Sequence, residues 1–199
     1  MQIAVATDGS TFTRHAVVLA RELATALCSP LTLLVTAAAQ DDVKQSQQLT
    51  QDAAQFVEGM AQEVQVVPLV GYTDEVVLNY LGAKPIDLLV IGGFQDRGTG
   101  ASHAIGATAH RIVQHAPTSV LMMKGAHTTI QRILVAAALD DEVVVKVASH
   151  LGHRLGAQLD LQHILPATAA SYLTATENGE LTTSAVLKQN THLASVIRC

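Results

Sequence analysis

The chain carries its most chemically suggestive residues where a short apolar run, Ile86–Ile91, gives way to glycine. Gly92, Gly93, Gly98, Gly100 and Gly106 follow it, and a helix is predicted over Gly106–His115. Glycines beyond the carboxyl end of a buried strand let backbone N–H groups come close to a ligand. The helix start that follows offers partial positive charge to a phosphate. Glycine-rich loops also serve as plain surface turns, and it is the position between strand and helix that favours binding here. A second group, Thr7-Asp8-Gly9-Ser10, ends the first predicted strand, Gln2–Thr7. Two roles stay open for Asp8: capping the helix that follows, and contacting a ligand.

Other candidates are weaker. Of nine histidines, His150 and His153 share a helix face at a metal-holding spacing, but no third ligand stands near them. They read as a solvated face. His103 lies in the glycine loop as a polar loop residue, and His115 suits the negative end of its helix. No nucleophile elbow, Walker loop or HExxH motif occurs. Cys28 and Cys199 form neither a disulfide framework nor a metal spacing; Cys28 reads as packing and Cys199 as a terminal thiol open to oxidation.

Positioning these residues requires a core, and composition supplies one. Hydrophobic residues make up 49% of the 199, charged residues 15%, and aromatics 3% with no Trp. Such a core must be built from Ala, Val, Leu and Ile, which suits a parallel sheet between Ala-rich helices. The net charge of −5, without a Lys/Arg run, argues against nucleic-acid or anionic-membrane surfaces. Apolar runs are too short to span a bilayer, and the N-terminus enters a strand at once. The expectation is a soluble protein of the reducing cytoplasm.

Strands and helices alternate: helix Thr11–Leu27, strand Leu31–Thr36, helix Asp41–Glu63, strand Val64–Val70, helix Thr73–Leu81, strand Ile86–Ile91, helix Gly106–His115 and strand Thr118–Met123. The fold expected is α/β, a doubly wound five-stranded parallel sheet of order 3-2-1-4-5 with helices on both faces. In that order the strand sequence reverses between strands one and four, so Asp8 and Gly92-Gly93 fall beside one crevice. After a linker at 125–130, the segment from Arg132 restates the beginning of the chain. Leu155-Gly156-Ala157-Gln158-Leu159 stands where Leu27-Cys28-Ser29-Pro30-Leu31 stood. Residues 131–199 thus read as a truncated, degenerate second copy with a possible last helix at Leu181–Ile197. Ala138 stands in place of Asp8, with Asp140 and Asp141 close by, and no second glycine loop follows.

The order of elements, and the run RIVQHAPTSVLMM from Arg111 in particular, resembles the universal stress protein family. The resemblance covers residues 1–124 and again 131–165. It implies a loop of the pattern G-x2-G-x9-G-[ST] that grips ribose and phosphates, with an Asp after the first strand. Gly93 and Gly106 match that pattern, whereas Asp96 replaces its second glycine and Ala107 its final hydroxyl residue. Gly98, Thr99, Gly100 and Ser102 can re-form a grip in a shifted register, with Arg97 as the cation. The binding set so implied is Asp8, Thr36, Gly92, Gly93, Gly98, Gly100, Gly106 and Ala107, with Thr36 flanking the base.

The resemblance implies a cytoplasmic stress-response protein that binds an adenine nucleotide (ATP or AMP, with Mg beside it), a protein partner, or both. It implies no substrate turnover, and a homodimer formed through the fifth strand. The alternative is a weak ATPase or adenylyl transferase, with Asp8 or Asp96 holding the metal and Arg97 or Arg111 the phosphates. A third reading is an interaction domain whose pocket has decayed, which Asp96 and Ala107 favour over the enzyme.

Overall fold

The computed structural model describes residues 1–38, 43–55, 57–92, 105–125, 129–137 and 142–163, and leaves aside the side chains of 11, 12, 43–46 and 163. The chain divides into two compact units, Met1–Thr129 and Ile130–Cys199. No helix among the described residues is long and apolar enough to cross a membrane.

The first unit runs β1 (Ile3–Thr7), α1 (Thr11–Ala26), β2 (Leu31–Ala37), α2 (Val43–Gln55), β3 (Val64–Val70), α3 (Thr73–Ala83), β4 (Leu88–Gly92), α4 (Ala107–His115) and β5 (Ser119–Met123). Its five strands form one parallel sheet of order β3-β2-β1-β4-β5, as expected from the alternation. Every residue of β1 and β2 is buried, because both strands are central and covered on both faces. Successive strand residues point to opposite faces. Ala4, Ala6, Leu34, Leu89 and Ile91 pack with Val77 and Leu81 of α3 and Ala109 and Ile112 of α4. Alternation sends Ile3, Val5, Leu33, Val35 and Val90 the other way, where α1 packs across β1, β4 and β2 and α2 across β2 and β3.

Three elements differ from the sequence reading by more than one residue. α2 spans Val43–Gln55 and not 41–63, and the chain turns over 57–59 instead of continuing as helix. β4 starts at Leu88 and not Ile86, because Asp87 Oδ2 accepts from Gln2 N (2.6 Å) and holds the chain in a corner there. α3 runs on to Ala83, past Gly82.

The second unit contains β6 (Arg132–Ala137), α5 (Glu142–Leu155) and β7 (Gln158–His163). β6 and β7 pair in parallel, Val135 opposite Leu161. Val135 and Ala137 pack with Val145 and Ala148 of α5, and Ile133 and Leu161 flank them. The last helix read at Leu181–Ile197 lies outside the described residues.

Both units turn the same corner after their first helix. In the second unit the turning residue is Gly156, at φ +63°; in the first it is Cys28, at φ +49°. An L side chain is strained in this left-handed conformation, whereas glycine is not.

Candidate functional site

Asp8 leaves the carboxyl end of β1 at the sheet's centre, and its carboxylate is organised by its own loop. Its Oδ1 accepts from Ser10 N (3.0 Å) and from Thr13 Oγ1 (2.9 Å). The cap of α1 is Ser10, whose hydroxyl accepts from Thr13 N at 3.4 Å. Of the two roles left open for Asp8, helix capping therefore belongs to Ser10. Asp8 itself is exposed. Partial burial pushes the carboxyl's pKa up, but the hydrogen bonds from Ser10 and Thr13 outweigh it and hold Asp8 below the ordinary aspartate value of 3.8. It is an anion at neutral pH. Gly9 holds the bend at φ +78°, and a Cβ there would come within 2.7 Å of Leu49 Cδ2.

A chain of threonines braces this loop from below. Thr7 and Thr13 hydroxyls meet at 2.9 Å, and Thr7 Oγ1 also accepts from Gly9 N at 3.1 Å. Thr36, buried in β2, donates to the Thr7 carbonyl (3.3 Å) and accepts from Thr73 Oγ1 (3.5 Å). Both bonds of the Thr36 hydroxyl are made inside the protein, and the residue is only 2% exposed.

The register Val5↔Val90, extended by two residues, brings Gly92 beside Thr7. The end of β4 therefore stands next to the Asp8 loop, as the strand order requires. Gly93, Gly98 and Gly100, with Asp96, Arg97 and His103, lie outside the described residues. The chain is described again where α4 begins. Gly106 is its N-cap, with no side chain capping the first turn, and no acid sits there to oppose an anion. Ala107 is exposed. Gly106 has an ordinary φ of −61°, and a Cβ on it would meet nothing within 4 Å. Neither backbone conformation nor packing demands glycine at that position; the space before the helix is open.

Sequence reasoning missed the ion pair that ties α3 to α4. Asp74 is buried in the first turn of α3, and its Oδ2 lies 2.7 Å from Arg111 Nη1 of α4. The contact is ionic and lacks hydrogen-bond alignment, since Oδ2 has no hydrogen-bonded partner. An acid early in a helix was the only available signal, and it reads equally as a dipole partner. Arg111 is thus engaged with Asp74. Among the described residues no three His, Cys, Asp or Glu side chains converge to hold a metal. A cavity of about 50 Å³ sits on the α1–α2 side of the loop, lined by Thr7, Gly9, Leu49 and Asp52 among others; it admits water-sized occupants.

The profile of the Universal stress protein family matches residues 1–124. No curated protein matches the chain significantly. Among solved structures, one similar to it is a universal stress protein from Archaeoglobus fulgidus DSM 4304, at 13% identity and TM-score 0.64, covering 86% of this chain and 71% of that one. Another is the Archaeoglobus fulgidus universal stress protein in complex with dAMP, at 17% identity and TM-score 0.50, covering 62% and 98%. A universal stress protein in complex with cAMP matches at 18% identity and TM-score 0.50, covering 65% and 98%. At these identities the likeness speaks for the fold.

Proposed function

The chain belongs to the universal stress protein family, and from that premise we propose that it serves a stress response in the cytoplasm by binding an adenine nucleotide, and through it protein partners, as a homodimer. The observation that carries this reading is a convergence at the reversal of strand order. There the exposed Asp8 carboxylate stands at the end of β1, and the acid-free N-terminus of α4 follows the glycine loop from the neighbouring β4. The Asp8 carboxylate accepts from ribose hydroxyls, buried Thr36 lies beneath the base, and the N–H groups at Gly106 and Ala107 receive a phosphate. Gly92, Gly93, Gly98 and Gly100 supply close backbone approach. The complexes of related folds with cAMP and dAMP support a nucleotide of this class.

By the family's loop pattern Asp96 stands where a glycine would meet the phosphates, which disfavours a polyphosphate, and Ala107 has no hydroxyl to offer it. The reading therefore favours a monophosphate such as AMP over ATP with Mg. Arg111, one of the two cations open to a phosphoryl-transfer enzyme, is engaged with Asp74, which supports action by occupancy over turnover. Residues 131–199 form a degenerate second copy of the same fold beyond a linker at 125–130. The parallel β6-α5-β7 arrangement supports that, as does a structural match reaching past the first unit to 86% of the chain.

Calorimetric titration with AMP, and with ATP and Mg, tests the reading. Binding of AMP that is lost in Asp8→Ala is the expected result. A protein indifferent to both nucleotides at millimolar concentration would overturn it. If Asp96→Gly with Ala107→Ser then created ATP binding, the pocket would be a decayed one.

A further inference from the structure

The hydroxyls beneath Asp8 have a direction, and counting protons reveals it. Thr13 Oγ1 lies within hydrogen-bond distance of four oxygens: Asp8 Oδ1 (2.9 Å), Thr7 Oγ1 (2.9 Å), the Ser10 carbonyl (3.0 Å) and Ser10 Oγ (3.2 Å). A hydroxyl has one proton to give and two lone pairs to fill. Of the four oxygens, only the ionised Asp8 carboxylate and the Ser10 carbonyl have no proton of their own. The carbonyl already accepts from Arg14 N at 3.0 Å. A hydrogen bond to a charged oxygen is roughly twice as strong as one between neutral groups, so the Thr13 proton goes to Asp8.

The other two hydroxyls then donate to Thr13. Each has its proton to spare, since the bond it makes elsewhere on the loop is an accepted one. Thr7 Oγ1 takes the Gly9 N–H (3.1 Å), and Ser10 Oγ takes the Thr13 N–H (3.4 Å). Thr13 thus accepts two bonds and gives one, the full complement of a hydroxyl. Bonds in series polarise one another, and this series ends on the carboxylate.

We propose that Thr13 is a positioning residue of the site, fixing the Asp8 carboxylate where a ribose hydroxyl meets it. Ser10 N also holds Asp8, but it belongs to the same turn, two residues on. Thr13 stands in the first turn of α1 and reaches Thr7, the last residue of β1. One hydroxyl therefore ties the carboxylate to a helix and to the central strand of the sheet. The ribose half of this proposal rests on the nucleotide reading above; the hold on Asp8 does not.

Thr13→Val removes the hydroxyl at nearly constant shape, and Thr13→Ser keeps it. Thr13→Ala makes the same removal with a strong helix former, and carries the test should the valine variant misfold. Thr25→Val is the control, an exposed α1 threonine whose hydroxyl faces Gln62 and not the site. Carbon-13 NMR of the Asp8 carboxyl against pH, on the full chain without nucleotide, reads the hold directly. Burial, Ser10, Thr13 and the residue's own backbone set that carboxyl's pKa, and no charged side chain is among the causes. The charged residues lining the neighbouring cavity are Arg14 and Asp52. Losing a bond made to the charged form raises a carboxyl's pKa. Asp8 should therefore titrate at higher pH in Thr13→Val and Thr13→Ala, and as in wild type in Thr13→Ser and Thr25→Val. A merely structural loss in α1 would not move it.

Calorimetry reads the consequence. Thr13→Val should weaken AMP about tenfold, the worth of one charge-assisted hydrogen bond, and Thr13→Ser should restore it. An Asp8 titration unmoved by the hydroxyl-free variants would overturn the proposal whether or not a nucleotide binds. So would a loss of AMP affinity that Thr13→Ser fails to rescue. A wild type indifferent to AMP, with Asp8 titrating as expected, would overturn the nucleotide reading and uphold the Thr13 hold on Asp8.

Discussion

Helix α1 is buried along two stripes and its counterpart α5 along one, although the two helices carry apolar residues at the same places. Ala16, Leu19 and Leu23 are core; Val144 and Val147 are surface, and Leu151 lies between. What separates them, among the described residues, is the number of strands beneath, five in one sheet and two in the other. An apolar stripe states what a helix is able to bury. The sheet decides whether it does, and a stripe left over is an offer to another surface. The same contrast holds at the site: Asp8, with its hydrogen-bonded loop, has only Ala138 at the matching place in the second unit.

The contrast is breakable at several points. Leu23→Ala should cost the first unit about 3 kcal/mol, as buried leucine truncations do, while Leu151→Ala costs about 1 kcal/mol. Urea unfolding followed by circular dichroism compares the two; equal losses would mean that the α5 stripe is as covered as that of α1. Next in size is the α3–α4 ion pair, which only the first unit has among the described residues. Arg111→Ala leaves the Asp74 carboxylate buried and uncompensated, a loss of about 2 kcal/mol. Adding Asp74→Asn should recover part of it in a double-mutant cycle, and strict additivity would show that the pair does not interact.

Two glycines separate folding from binding. Gly9→Ala forces a side chain into the left-handed region and should destabilise by about 1 kcal/mol in the same assay. Gly106→Ala should cost less than about 1 kcal/mol, the loss of a fair N-cap, yet weaken AMP about tenfold if a phosphate occupies the open space before α4. An unchanged affinity would empty that space of meaning.

The smallest effect is one of pH. The Asp8 carboxyl is held below 3.8, so its contribution to stability is fully present above that value and disappears as pH falls through the lowered pKa. Wild type and Asp8→Asn should therefore differ in acid-unfolding curves at neutral and mildly acidic pH and converge in strong acid. A gap that stayed constant down to the most acidic point would show that the hydrogen bonds at Asp8 do not depend on its charge.

The sheet is legible because its central strands are fully buried, so that Ile3–Thr7 and Leu31–Ala37 read as short apolar runs broken only by threonine, a good strand former. Their order followed from the alternation with helices. Helix ends were less legible: the polar run 41–63 has a helical pattern throughout, and nothing in that pattern says the chain turns at 57–59. Topology alone places Asp8 beside Gly92. It does not reveal the hydroxyl chain of Thr7, Thr13, Thr36 and Thr73, because that chain joins four separate elements. Asp74 and Arg111 lie on different helices, and no local spacing encodes a pair that tertiary packing makes.

A chain that holds two versions of one corner also holds a repair manual for itself. Cys28, exposed and outside any disulfide, at φ +49° occupies the post that Gly156 fills at φ +63°. At this one spot the second unit is the better built. Copying its solution back, as Cys28→Gly, should raise the melting temperature of the first unit by relieving about 1 kcal/mol of backbone strain. It would also take away an oxidisable sulfur at no cost to the core. Differences between the two units can thus be mined as engineering suggestions already tried within the same molecule.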